Sequence, residues 1–291
     1  MPMNAFISNA DRRDIRKSFF NRVFSTLESR LWPFRVSWAK TVYFNLRSMP
    51  FALAVKLPVY IYRHTQFSSL SGRVEIRGPV RRGMVRIGKR EDRGQGVTNI
   101  RNLGCIVFHD GVSIMQGCDL YVGPKGLLEI GARARIRENV FIYASELIRI
   151  GELTGIAYQT TLSDDDFHYV LDTDTGNVAD CKAAIIIGAR NWIGSRTVIK
   201  KGTVTPDDLI VASSYSLLSK DYTGSVPPFS VIGGLPARLL KTNVRRVFNA
   251  ESEAALHRHY AAGGTSFVLD PESRDTAGFC LRGPEKEAAC L

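Results

Sequence analysis

The sequence predicts a mainly β fold, a left-handed parallel β-helix of hexapeptide repeats, and two observations predict it. Aliphatic residues recur every six positions through much of the chain, and small or turn-compatible residues follow many of them. A period of six is neither the period of an α-helix nor the alternation of an ordinary strand. A short strand and a tight corner take about six residues, so three such units close a triangular coil that stacks on the next.

The clearest run of the repeat lies between residues 187 and 217. Its members are Ile187, Ile193, Ile199, Thr205, Val211 and Leu217. Two earlier runs, 130–142 and 150–162, are separated by a slip of two residues, and a weaker run spans 100–118. We expect the repeat members to point into the coil, and the small residues after them, such as Gly188, to relieve crowding at the corners. Chance periodicity in a β-sandwich is the alternative, and the long run in register argues against it.

Composition and periodicity divide the chain into three regions. We expect residues 1–70 to be a basic N-terminal cap region, helical or extended, with a helix predicted over Ala10–Leu31. We expect residues 71–247 to form the β-helix and residues 248–291 to form a C-terminal helix and tail. The polar, acidic segment 163–184 interrupts the repeat, which predicts a loop that projects from a corner. Loops on a regular scaffold are where binding and catalytic residues concentrate.

The net charge of +11 is concentrated in the N-terminal third of the chain. Residues 1–101 contain 20 Lys and Arg against 6 Asp and Glu, whereas residues 102–291 contain 19 against 22. This asymmetry indicates either a solvated basic face on a structural cap or peripheral contact with an anionic membrane. We expect no nucleic-acid partner, because the chain has no zinc-finger spacing, no RNA-binding signature and no dense basic block.

Other features of the composition favour a cytoplasmic protein without a metal. The longest apolar stretch, residues 51–62, is too short and too interrupted to span a bilayer. No secretory signal is apparent. The five cysteines are odd in number and have no CxxC spacing, which favours neither a disulfide framework nor a metal site.

His168 is the candidate for chemistry because it lies inside the acidic segment, after three consecutive aspartates. An imidazole is the usual general base near neutral pH. Asp164 or Asp166 could orient that imidazole, as carboxylates do in catalytic triads. A solvated loop histidine is the simpler alternative. A metal site is disfavoured, because Mg²⁺ or Ca²⁺ needs more widely spaced oxygen ligands and Zn²⁺ needs more His or Cys.

Three segments, 187–194, 197–202 and 226–238, resemble the bacterial hexapeptide-repeat acyltransferases. The similarity extends over roughly residues 40–245 and is greatest to the subgroup that O-acetylates surface polysaccharides and related sugars. The resemblance implies acetyl-CoA as the acyl donor, a carbohydrate acceptor and a role in polysaccharide biosynthesis. It also implies a homotrimer whose active site lies between two subunits.

The resemblance also implies roles for individual residues. His168 matches the catalytic base, and Trp192 matches an aromatic residue that borders the acyl-transfer cleft. The other positions implied to bind the coenzyme are Gly194, Ala212, Ser213, Ser214, Lys220 and Arg238. Two positions depart from the pattern: Tyr169 follows His168 where one branch has proline, and Tyr215 places a large ring near the expected coenzyme groove.

Two other functions remain open from the sequence. An N-acetyltransferase that acts on an amino sugar would need the same base. A non-catalytic β-helix scaffold would need neither the base nor the acidic segment. A zinc carbonic anhydrase would need more histidines than the repeat region contains, where only His109 and His168 lie.

Overall fold

The computed structural model describes residues 36–90, 96–247 and 250–268 of the chain. The helix predicted over Ala10–Leu31 lies outside the described residues. The described chain contains helix α1 (Trp38–Ser48), helix α2 (Phe51–Ala54), strands β1 to β21, and helix α3 (Ala250–Ala261).

The strands form three sheets, which we call faces 1, 2 and 3, and from β1 to β17 successive strands in the chain lie on successive faces. Face 1 contains β1 (Val59–Ile61), β4 (Val85–Lys89), β7 (Ser113–Met115), β10 (Arg135–Ile136), β13 (Gly155–Ile156), β16 (Trp192–Ile193), β18 (Ile210–Val211), β20 (Val231–Gly233) and β21 (Arg238–Lys241). Face 2 contains β2 (Thr65–Leu70), β5 (Thr98–Asn102), β8 (Asp119–Val122), β11 (Phe141–Ala144), β14 (Thr161–Ser163), β17 (Val198–Lys200) and β19 (Leu217–Leu218). Face 3 contains β3 (Arg73–Ile76), β6 (Cys105–Phe108), β9 (Leu127–Ile130), β12 (Leu147–Ile150) and β15 (Ile185–Ile187).

All strand pairs are parallel except the last, β20 with β21. A chain that visits three faces in turn and pairs each strand with the equivalent strand of the next coil is a parallel β-helix. The fold predicted from the repeat is therefore confirmed.

The aliphatic repeat fills the interior of the coils. On face 1, Ile136, Ile156 and Ile193 are paired in register and fully buried. The prediction for Leu217 was wrong, because Leu218 is the residue that pairs with Ile199 and is buried. The shift arises at the preceding corner, where Ser214 and Tyr215 both have left-handed backbone conformations, with φ of 71° and 70°.

Glycines at the corners allow neighbouring coils to approach closely. A Cβ atom on Gly188 would lie 2.5 Å from the carbonyl oxygen of Pro206 in the next coil, and one on Gly151 would lie 2.5 Å from the amide nitrogen of Ala189. Because both contacts are with backbone, no side chain could move to relieve them. These glycines therefore carry out the role that the sequence predicted for small residues after the repeat position.

Helix α1 covers the open edge of β1, the first strand of face 1. The Asn45 side chain donates to the Val59 carbonyl (2.7 Å) and accepts from the Val59 amide (3.2 Å), and the Thr41 hydroxyl accepts from the Ile61 amide (3.0 Å). Side chains of the helix thus satisfy backbone groups that an absent neighbouring strand would otherwise bind. The first coil begins at Val59, within the range that the sequence assigned to the cap region.

None of the described helices is long and apolar enough to cross a membrane.

Candidate active site

A projecting hairpin, which we call the arm (residues 164–184), leaves the corner between faces 2 and 3. The chain enters it after β14 and returns at β15. Antiparallel bridges join Asp165 to Lys182 and Leu171 to Val178 across the hairpin. A turn that begins at Asp172 closes its tip, where the Gly176 amide donates to the Asp172 carbonyl (2.8 Å).

Asp164 fixes the base of the arm to the preceding coil. Its fully buried carboxylate accepts hydrogen bonds from the amides of Ser145 (2.7 Å), Glu146 (2.8 Å) and Leu147 (2.8 Å). Ser145 and Glu146 lie in the two-residue slip between the repeat members Ile142 and Ile150. Burial raises the pKa of Asp164, while the three N–H donors act in the opposite direction. The slip in the repeat therefore provides the anchor point of the arm.

Asp166 provides a second attachment. Its carboxylate forms ion pairs with Lys200 and with Lys201 (3.2 Å), both in the coil that follows the arm. Hydrogen bonding to Lys200 is the main cause that lowers the pKa of Asp166. In the described part of the chain, neither Asp164 nor Asp166 forms a hydrogen bond with His168, so the predicted orienting contact is absent from a single chain.

Aromatic rings hold the residue that precedes His168. The ring of Phe167 packs edge-on against Tyr143 (centroids 4.7 Å apart), which stacks on Tyr121 (4.3 Å). Burial, together with the neighbouring Tyr121, raises the pKa of Tyr143 to about 12, so its hydroxyl stays neutral at physiological pH. The Arg101 guanidinium lies 5.0 Å from the Tyr121 ring.

His168 itself is exposed, at the start of the outer part of the arm. The structure therefore presents an accessible imidazole on a backbone that Asp164 and Phe167 attach to the preceding coil and Asp166 attaches to the following coil. His109, the other histidine of the repeat region, is instead bound to Glu129, with 3.1 Å between Nε2 and Oε1.

The predicted coenzyme residues collect mainly at a different corner, between faces 1 and 2. Gly194 follows β16, and Ala212, Ser213 and Ser214 follow β18, one coil further along. The Gly194 amide donates to the Val211 carbonyl (2.9 Å), and a Cβ atom on Gly194 would lie 2.5 Å from Ser213. Tyr215, at the same corner, is 60% exposed.

Trp192 lies on face 1 beside this corner and is 42% exposed. The guanidinium of Arg246 lies 5.2 Å from the centre of its ring, within the range of a cation–π interaction. Burial lowers the pKa of Arg246. No pattern in the sequence predicted this contact, because Arg246 comes from the segment after β21 and reaches Trp192 only through the fold.

The structure separates the two basic residues that the resemblance assigned to the coenzyme phosphates. Arg238 pairs with Gly233 at the end of face 1. The strand that precedes Gly194, β16, lies on the same face. Lys220 follows β19 and so lies at the corner between faces 2 and 3, where its ammonium is 5.5 Å from the Tyr222 ring. The stacked coils form a triangular prism, and Lys220 therefore lies on the same edge of this prism as the arm.

The described residues contain no group of three His, Cys, Asp or Glu side chains that could hold a metal ion. The carboxylate of Asp164 accepts hydrogen bonds from backbone amides, and the carboxylate of Asp166 forms ion pairs with lysine side chains.

The chain is similar to known acyltransferases. The chain is 25% identical over 150 residues to an Escherichia coli (strain K12) protein that bears the provisional name lipopolysaccharide biosynthesis O-acetyl transferase WbbJ; the match covers 49% of this chain and 74% of that protein. No protein-family profile matches the chain. The resemblance predicted from the sequence is confirmed.

Two solved structures are also similar. One is the polySia-specific acetyltransferase NeuO, with a TM-score of 0.49 and 19% identity, covering 71% of this chain and 83% of that chain. The other is a hexapeptide-repeat acetyltransferase of Vibrio cholerae O1 biovar eltor complexed with acetyl coenzyme A, with a TM-score of 0.33 and 25% identity, covering 46% of this chain and 64% of that chain. The predicted enzyme class, acyltransferase, agrees with the names of these relatives, and the predicted donor, acetyl-CoA, is the ligand named in the Vibrio cholerae complex.

Proposed function

We propose that the chain is an acetyl-CoA-dependent O-acetyltransferase that acts on a hydroxyl of a sugar or surface-polysaccharide precursor. The observation that carries the proposal is the exposed His168 on an arm fixed at its base. The similarity to a lipopolysaccharide O-acetyl transferase supports the class of acceptor. The sugar and the hydroxyl position are open.

The reaction needs one base and no covalent enzyme intermediate. The imidazole of His168 takes the proton of the acceptor hydroxyl while that oxygen attacks the thioester carbonyl carbon. The C–S bond then breaks, and the imidazolium returns the proton to the departing coenzyme A thiolate. General-base assistance of this kind contributes about 10²–10⁴-fold. Backbone N–H groups near a corner would stabilise the oxyanion.

The positions of the two residue sets support a homotrimer with shared sites. His168 and Lys220 lie at the corner between faces 2 and 3, whereas Trp192, Gly194 and Ala212 lie at the corner between faces 1 and 2. One prism does not bring two of its own corners together. We call the corner that bears Gly194 and Ala212 the coenzyme corner. In a trimer of parallel prisms, the arm of one subunit can meet the coenzyme corner of its neighbour.

His168→Ala tests the proposal. We expect acetyl transfer from labelled acetyl-CoA to fall at least about 100-fold, because the base is lost. His257→Ala removes another exposed histidine, in α3, and is the matched control. Full activity of folded His168→Ala would overturn the proposal.

The acceptor panel should pair each sugar with its amino-sugar analogue. Labelled ester that is released by mild base supports transfer to oxygen, and base-stable amide would identify an N-acetyltransferase instead. Location in the cytoplasm stays a prediction, and contact with the inner face of the membrane is a separate prediction.

A further inference from the structure

Helix α1 is oriented with its polar residues inward and its apolar residues outward. Its inner side carries Thr41 and Asn45, which bind the edge of β1, and Ser48, which is also buried. A helix on the surface of a globular protein normally has the opposite arrangement, with an apolar stripe against the core. Capping a strand edge requires polar side chains, so the apolar residues of α1 are left on the outside, Phe44 excepted.

The outward residues of α1, of α2 and of the turn after α2 form one apolar surface, which we call the cap face. Trp38, Val42 and Leu46 follow one another at intervals of four along α1, and so lie on one side of the helix. The cap face consists of Trp38, Val42, Tyr43, Leu46, Phe51 and Val55. All six side chains are more than 40% exposed, and Phe51 reaches 74%. Exposed apolar patches that are bordered by polar residues mark interaction sites.

Cations surround the cap face. Arg47 is exposed on α1, and Lys56 is exposed in the turn that follows α2. Residues 36–90 contain 11 Lys and Arg, and Glu75 is their only acidic residue. Aromatic and aliphatic side chains with Lys and Arg beside them are the composition of segments that lie in the interface of an anionic bilayer.

The same charges disfavour the other occupants of this surface. Two copies of the chain joined through the cap face would bring their basic borders together, with Glu75 as the only acidic residue of residues 36–90 to compensate. Residues 1–35 contain 7 Lys and Arg against 3 Asp and Glu, so they too carry net positive charge. A negatively charged lipid surface is the occupant that complements both the apolar side chains and the cations.

We propose that the cap face binds the surface of an anionic lipid bilayer, with the side chains of α1 and α2 inserted at the level of the headgroups. The arm leaves the prism several coils from α1, so membrane contact and acetyl transfer use different parts of the chain. The inference does not rest on the proposed function.

Vesicle co-sedimentation of the full chain tests the proposal. We expect binding to vesicles of phosphatidylcholine with phosphatidylglycerol, weak binding to phosphatidylcholine alone, and loss of binding as salt is raised from about 0.1 M to about 0.5 M. Leu46→Glu with Phe51→Glu should lower the partition coefficient about tenfold or more, because two apolar side chains no longer insert. Arg47→Gln with Lys56→Gln should lower it about fivefold for each charge removed.

Val268→Glu is the matched control, because Val268 is an apolar residue outside the cap face that is 81% exposed. It should bind as the parent chain does, and all variants should keep their circular dichroism and their acetyl transfer to a soluble acceptor. Brominated lipid should quench the fluorescence of Trp38, and Trp38→Phe should remove that part of the quenching. Equal binding by the parent chain and Leu46→Glu with Phe51→Glu would overturn the proposal. So would no binding by the parent chain, or a change of oligomeric state in that double variant without lipid.

Discussion

The coils and the arm of this protein are stabilised by different kinds of contact. In the coils, the same residue position recurs at every turn, so Ile136, Ile156 and Ile193 stack on one another. The arm is held by single contacts that occur once, from Asp164 to one coil and from Asp166 to another. The coils therefore tolerate local changes in the arm, while the position of His168 depends on a few polar contacts.

Asp164→Ala should show this difference most strongly. Removing the buried carboxylate leaves the part-buried amides of Ser145, Glu146 and Leu147 without their acceptor, and an unsatisfied buried polar group costs about 1–3 kcal/mol. Because the loss falls at the base of the arm, we expect acetyl transfer to drop at least about tenfold, with a small change in the melting temperature.

Ile193→Ala is the matched control in the coils. It should destabilise the fold by about 2–5 kcal/mol, as deletions of buried aliphatic side chains do, and lower the melting temperature accordingly. If Asp164→Ala instead lowered the melting temperature as much as Ile193→Ala and left activity intact, the arm would not be the separate unit described above.

A smaller effect is expected from the titration of Asp166. The Lys200 and Lys201 ammonium groups hold the pKa of this carboxyl below its ordinary value, so the ion pairs stabilise the folded arm above the ordinary aspartate pKa. That contribution is lost as the pH falls through the lowered pKa. Hydrogen exchange of the arm amides, corrected for intrinsic rates, should show less protection on acidification below about pH 4.

Asp166→Asn removes the charge that titrates and keeps the side-chain volume. Its arm amides should be less protected near neutral pH and should change less on acidification. The same pH profile in both proteins would show that Asp166 does not fix the arm.

The difference between coils and arm also decides what the sequence could predict. A six-residue period is a local signal that repeats, so it predicted the faces, the core and the glycine corners. It failed at Leu217, because one extra residue at the Ser214–Tyr215 corner shifts the register without interrupting the apolar pattern. The cap helix was anticipated only in general terms, since Thr41 and Asn45 act on a strand that follows them in the chain.

Contacts that form across coils left no signal in the sequence. The aspartates of the acidic segment suggested partners for His168. In the fold, Asp164 instead accepts hydrogen bonds from backbone amides, and Asp166 forms ion pairs with Lys200 and Lys201. The partner of Trp192, Arg246, is likewise distant in the chain. The prediction that His168 is the base stays a prediction.

Subunit complementation tests the central claim most directly, which is that His168 of one chain works with the coenzyme corner of another. His168→Ala and Ala212→Trp, which fills that corner, should each be inactive when purified alone. When the two are unfolded together, mixed in equal amounts and refolded, about a quarter of the subunit interfaces in random trimers would join an intact arm to an intact corner. We predict that activity returns to about that fraction of the parent value, and no recovery in mixed trimers would contradict a shared site.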